Sequence, residues 1–264
     1  MYNRRSAILA CQLCGCITDG IAQLSVDPSP ERCAAVFRKS MTILGIDTSS
    51  ATLKLGLQLQ QEIVVREIDQ QPRHAQVILP EILGFLSEHG LTLTELTGLA
   101  YSQGPGSFTG LRIGLGVVQG LAYGLGLPVV PVPSMMVLAA AAGAITQTDQ
   151  IFVAVHARED EVYGAFYGNC RSVVPKLIEG PSVYTALSLP DQLEGVWRIT
   201  GSGAYLFEEL THPGYLKGAI DMTEASAGQL MKIASTLFAD GEVVSALEAK
   251  PLYVREMVAN TKAN

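Results

Sequence analysis

The sequence predicts an α/β fold of two similar lobes, on three observations. Strand patterns followed by helical patterns occur twice along the chain, as hairpins joined by crossover helices would. The 264 residues are 48% hydrophobic and 16% charged, the reverse of a disordered composition, and suffice for two lobes of roughly 100 residues each. Glycines sit between a buried-type strand and a helix near residue 104, where the chain turns sharply. The expected division is an extension over 1–40, a first lobe over 41–146 and a second over 147–264.

The first lobe opens with the apolar run Thr42–Asp47 and the polar turn Thr48-Ser49-Ser50-Ala51. Thr52–Leu59 then alternates, with Leu53, Leu55, Leu57 and Leu59 on one face, and Glu62–Ile68 completes a three-strand meander. Ala75–His89 has helical periodicity and stops at Gly90, with Pro80 expected as a kink or as the effective start. Gly98–Ser102 reads as a buried strand, and a helix continues from the glycine loop to Gly126. Pro128–Val132 is extended, and Ser134 is placed to cap an alanine-rich helix. In the second lobe Ile151–Val155 and Glu161–Tyr167 read as strands. Val196–Thr200 leads into Gly201-Ser202-Gly203 and a helix, and Glu224–Ala239 is a further helix.

Charge and cysteine usage exclude several classes. From Met41 onward 13 Lys and Arg face 22 Asp and Glu, a net of −9, so the body lacks the basic footprint of a protein that grips nucleic acid unaided. Ile113–Thr148 is free of Asp, Glu, Lys, Arg and His, but Pro128, Pro131 and Pro133 divide it into pieces too short to span a membrane. Cys11, Cys14, Cys16 and Cys33 cluster in the extension, without the paired spacing of a zinc site, and only Cys170 lies beyond. That usage fits a reducing cytoplasm. Arg4 and Arg5 precede too short an apolar core for a signal peptide. Residues 1–40 therefore read as a dispensable extension or an upstream start codon.

Three features are candidates for function. The loop Gly104-Pro105-Gly106-Ser107-Phe108-Thr109-Gly110 either binds phosphate at a helix start, with Ser107 or Thr109 touching it, or is a structural turn; it lacks P-loop spacing. Asp47, with Thr48 and Ser49 beside it, either handles a metal or phosphate or forms an Asx turn. The next helix holds Gly110, Gly114, Gly116, Gly120, Gly124 and Gly126, although each interior glycine costs a helix about 0.8–1 kcal/mol. Gly116, Gly120 and Gly124 share one face, beside Ile113, Val117 and Leu121. That face serves either packing within the lobe or docking of a partner helix. His74, His89, His156 and His212 form no metal-binding pair, and no nucleophile elbow occurs.

On these residues the chain resembles the bacterial TsaB family, also called YeaZ. The match rests on Ser102-Gln-Gly-Pro-Gly-Ser-Phe-Thr-Gly-Leu-Arg-Ile-Gly114 with Gly126-Leu-Pro128, and on Ile43-Leu-Gly-Ile-Asp-Thr-Ser49. It is extended by His74 leading to Leu79-Pro80, Ala157-Arg158 with Glu161-Val-Tyr163, Gly201-Ser-Gly203 and Pro251-Leu-Tyr-Val-Arg255. These occur in the family's order from Met41 to about residue 258. The resemblance implies two ribonuclease-H-like lobes of the actin/sugar-kinase superfold. It implies a non-catalytic scaffold that binds and activates a TsaD-type threonylcarbamoyltransferase during N6-threonylcarbamoyladenosine modification of tRNA, next to the anticodon.

Further expectations follow from it. A TsaE-type ATPase joins the assembly, tRNA is met only through the complex, and the free chain can pair with itself. No cofactor or metal is expected, because Gln76 and Ile78 stand where the catalytic subunit carries an acid and a second histidine; a metalloprotease label has no support here. The resemblance places the partner interface on first-lobe helices, at Ile78, Ile82, Phe85, Ile113, Gly116, Val117, Gly120, Leu121 and Gly124. Asp47, Thr48, Ser49, Gly104, Gly106 and Ser107 become remnants of a nucleotide or phosphate loop. One departure is His156, where the family usually has Asp. The alternative reading is a small-molecule kinase or ATPase of the same superfold using Asp47 and the Gly104–Gly110 loop, for which the chain is short and poor in further carboxylates.

Overall fold

The computed structural model describes residues 41–69, 74–190, 193–207 and 214–255. The expected extension 1–40, with four of the cysteines, lies outside the described residues. The first lobe holds β1 (Thr42–Asp47), β2 (Thr52–Leu59), β3 (Glu62–Asp69), α1 (His74–Glu88), β4 (Gly98–Gly104), α2 (Phe108–Leu125), β5 (Val129–Pro133) and α3 (Ser134–Thr146). The strands form one sheet in the order β3-β2-β1-β4-β5, with β1, β2 and β3 antiparallel and β4 and β5 parallel to β1.

The second sheet repeats this plan. It contains β6 (Ile151–Arg158), β7 (Glu161–Gly168), β8 (Lys176–Tyr184), β9 (Trp197–Thr200) and β10 (Leu216–Ala219), in the order β10-β9-β6-β7-β8. Again the first three strands are antiparallel and the last two run parallel to the first. Two mixed sheets of like order define two ribonuclease-H-like lobes of the actin/sugar-kinase superfold.

Several local expectations need correction. α1 runs over His74–Glu88, so Pro80 lies inside the helix rather than at its start. Ser134 does not cap α3; Pro133 is the flanking residue, and the Ser134 hydroxyl instead accepts the Gly104 N–H at 3.2 Å and meets the Ser102 hydroxyl at 2.6 Å. After Gly203 the described residues form the short 3-10 turn Ala204–Phe207, and the expected helix beyond it falls on residues outside the description; α4 (Ala227–Ala239) starts three residues later than its pattern suggests, capped by Ser226. β8 and β10 had no distinct pattern to announce them.

The boundary at 146/147 separates the sheets but not the helices. α4 packs on the first sheet, where Gly45 and Gly56, lacking Cβ atoms, leave a notch filled by Met231. Residues of β2 that alternation turns away from the leucines face α4. Lys54 Nζ donates to Glu224 and to the Ala225 carbonyl, both at 2.8 Å, and Ser235 donates to Gln58 Oε1 at 2.7 Å. Both faces of the first sheet are thus covered, so a strand that reads as half-buried is buried nearly throughout.

Candidate functional site

The turn after β1 and the glycine loop after β4 meet directly. Asp47, largely buried, accepts the Ser49 N–H at 2.8 Å, an Asx turn. The Ser107 N–H donates to the Ser49 carbonyl at 2.7 Å, and the Thr48 hydroxyl donates to the Gly110 carbonyl at 2.7 Å. His74 closes the same turn from α1, its Nε2 2.8 Å from the Ala51 carbonyl. Ser107, not Thr109, caps α2 by accepting the Gly110 N–H at 3.3 Å.

The loop glycines answer to this contact. A Cβ on Gly106 would stand 2.5 Å from the Ser49 carbonyl oxygen, and one on Gly110 or Gly114 would overlap Thr48. Gly104 adopts φ +102°, a backbone that disfavours a side chain. Asp47, Thr48, Ser49, Gly104, Gly106 and Ser107 therefore lie on two segments in contact, and Thr48 and Ser49 fill the space beside the glycines. The Thr48 hydroxyl and the Ser107 N–H, the donors that would greet a phosphate, are spent on the Gly110 and Ser49 carbonyls.

The second candidate surface lies on the outer side of α1 and α2. Gly116, Gly120 and Gly124 are exposed, and a Cβ at any of them would meet nothing within 4 Å. The helix keeps its geometry with Ser107 at one end and Gly126 in the left-handed region, φ +67°, at the other. Ile113, Val117 and Leu121 are half-buried and pack on the first-lobe core.

Ile78, Ile82 and Phe85 require correction. They are buried on the side of α1 that faces the sheet and belong to the core, so none of them offers surface to a partner. The apolar side chains that α1 does expose are Leu79 and Leu83, four residues apart and each about half exposed. Tyr123, 73% exposed, and Phe108, 67% exposed, extend the apolar character of α2 outward. The signal for these was present in the sequence: α1 carries more apolar positions than one buried stripe requires.

His156, the departure noted above, lies at the end of β6. Its N–H donates to the Ser202 hydroxyl at 3.1 Å, and its ring lies against Tyr205. Cys170 is buried, its thiol pushed up to about 12 by desolvation. Among the described residues no cluster of His, Cys, Asp or Glu is placed to hold a metal, and no helix is long and apolar enough to cross a membrane.

Two matching sheets, a glycine loop closed by the chain's own turn and an exposed glycine stripe define a two-lobed protein of the actin/sugar-kinase superfold. A family model described as TsaD: tRNA N6-adenosine threonylcarbamoyltransferase matches residues 64–189. The chain is 34% identical over 224 residues to the tRNA threonylcarbamoyladenosine biosynthesis protein TsaB of Escherichia coli, an alignment covering 83% of this chain and 96% of that protein. The TsaB protein of Haemophilus influenzae is 31% identical over 234 residues, with the same two shares. The solved structure of YeaZ from Pseudomonas aeruginosa superposes with a TM-score of 0.72 at 29% identity, covering 81% of this chain and 99% of that one. The chain belongs to the TsaB family.

Proposed function

We propose that this protein is a non-catalytic subunit of the cytoplasmic machinery that makes threonylcarbamoyladenosine in tRNA. Its task in that reading is to dock on a TsaD-type catalytic subunit and activate it. The observation that carries the role is the 34% identity to a TsaB protein over 96% of that protein's length. A TsaE-type ATPase and tRNA are reached through that partner, which suits a body of net charge −9 from Met41 onward. The chemistry supports a binding rather than a catalytic subunit. A kinase would need room for phosphate between Asp47 and the glycine loop, where Thr48 and Ser49 are bonded into the loop.

The docking surface in this reading is the stripe of Gly116, Gly120 and Gly124 on α2, with the exposed Leu79 and Leu83 of α1 as its apolar complement. Glycines in an exposed helix are unfavourable for the free chain, and close approach of another helix is the gain that offsets them. The test is to mix the purified protein with the TsaD-type subunit, weigh the complex and assay threonylcarbamoyl transfer. A complex of defined mass with activity absent from this protein by itself is expected. Failure to associate, or metal-dependent turnover by this protein abolished on mutating Asp47 or His74, overturns the proposal.

A further inference from the structure

The chain beyond α4 does not return to the second lobe directly. Val244 pairs with Val129 at the start of β5, each N–H donating to the other's carbonyl at 2.8–2.9 Å. Further along, Gln119 of α2 donates to the Ala249 carbonyl at 2.9 Å. The Tyr101 hydroxyl donates to the Lys250 carbonyl at 2.8 Å and accepts the Lys250 N–H at 3.0 Å. The Leu252 N–H donates to the Gln103 carbonyl at 2.8 Å, beside the glycine loop. Arg112 of α2 lies with its guanidinium carbon 3.3 Å from the Phe108 ring centre and 5.3 Å from that of Tyr253.

Three residues on, the segment reaches the other lobe. Arg255 Nη2 donates to Glu161 Oε2 at 2.7 Å, at the start of β7, with both side chains partly shielded from water. Glu161 first and Tyr163 second favour the charged guanidinium. Residues 244–255 therefore form a strap that is hydrogen-bonded along the first lobe and ion-paired to the second.

We infer that this strap is a latch that ties the two lobes together alongside the buried core in which Met135 and Leu138 of α3 pack with Ile151 and Val153, and that it does so without a bridging ligand. The two ends it joins are the glycine loop and the β6–β7 turn. At the first of these, Thr48 and Ser49 already occupy the space beside Gly106, Gly110 and Gly114. In the kinase reading a bound nucleotide would supply contacts at that loop; here the chain supplies its own. Lobe spacing is then a fixed property of the folded chain, and the face of α2 is held in one relation to the second lobe by Gln119, Arg112 and the strap.

Hydrogen exchange read by mass spectrometry on the full chain tests this. Arg255→Gln and Glu161→Gln should each speed exchange across 156–163 and 250–255 by about two- to fivefold, the range a partly exposed ion pair supports. The double variant should add nothing to either single one, and the amides of β1 and β2 should be unchanged. Unaltered exchange at 156–163 in both single variants overturns the latch. So does acceleration that spreads evenly into β1 and β2, since that is general destabilisation. Magnesium-ATP added to the unmodified protein should change nothing; several-fold protection of 47–49 and 104–107 overturns the ligand-free part.

Discussion

The Thr48 hydroxyl donates to the Gly110 carbonyl at 2.7 Å, tying the turn after the first strand to the first turn of α2. That bond explains why position 110 bears no side chain: a Cβ there would overlap the Thr48 backbone. Gly110→Ala should destabilise the protein by about 1–3 kcal/mol, as overpacking does, read as a lowered urea midpoint with unchanged slope. Full stability in that variant would show that the turn yields easily.

The outward glycines should behave oppositely. Gly116→Ala should stabilise the free protein by up to about 1 kcal/mol, Ala being the better helix former in open space. Gly120→Leu should leave a folded protein whose affinity for the TsaD-type subunit falls about fivefold to over a hundredfold, a loss of about 1–3 kcal/mol. Each glycine should be changed singly and binding measured by calorimetry. Normal binding by all three leucine variants would move the interface elsewhere.

Lys54 and Glu224 are unequal partners, since the lysine side chain is 5% exposed and the glutamate 45%. Burial raises the Glu224 pKa, but the Lys54 hydrogen bond and charge together with a hydrogen bond from Ser50 outweigh it, and the carboxyl lies below its usual 4.5. The stabilisation is therefore complete above about 4.5 and is lost as pH falls through the lower folded value. Glu224→Ala should cost about 1–3 kcal/mol at neutral pH by leaving a buried ammonium short of its carboxylate, and Lys54→Met should cost less. Urea titrations at pH 7 and pH 3.5 should show the difference between Glu224→Ala and the unmodified protein shrinking in acid.

Cys170 donates to the Tyr167 carbonyl at 3.1 Å from a fully buried position. With its thiol held up to about 12, it should escape alkylation by iodoacetamide at pH 8 in the folded protein and react on unfolding. The thiol form is favoured by the fold, so its contribution is intact below the unfolded pKa near 9 and is lost as pH rises toward 12. Peptide mapping of native and urea-treated samples reads the contrast. Rapid modification of native Cys170 would mean that this region opens readily.

The first sheet was legible because its strands announce themselves in two ways, by alternation in β2 and by unbroken apolar runs in β1 and β4. The closed loop was legible only in part: the glycines could be seen, but not that Thr48 and Ser49 lie against them, a contact between segments about 60 residues apart. The resemblance points to α1 as a docking helix but not to which of its faces is free, and helical spacing shows only that Ile78, Ile82 and Phe85 share a face, not that the sheet covers it. The alternation in β2 marks the leucine face, but nothing local says that α4, about 170 residues later, will lie over Lys54 and Gln58 on the other. β8 and β10 escaped notice because their stabilising partners lie across the sheet rather than in their own composition.

The notch at Gly45 and Gly56 sets an order of events during synthesis. Its filler, Met231, is made long after the strands that frame it, and ribosomes add about 5–20 residues per second. The first lobe, its last strand complete at Pro133, must therefore wait roughly 5–20 seconds with one side of its sheet covered only in part, by α3, while the second lobe's strands emerge. Until the closing helix arrives, that apolar side is the nascent chain's most exposed target for chaperones. A ribosome stalled between the two lobes would hold a first sheet whose every strand is present and whose cover is still incomplete.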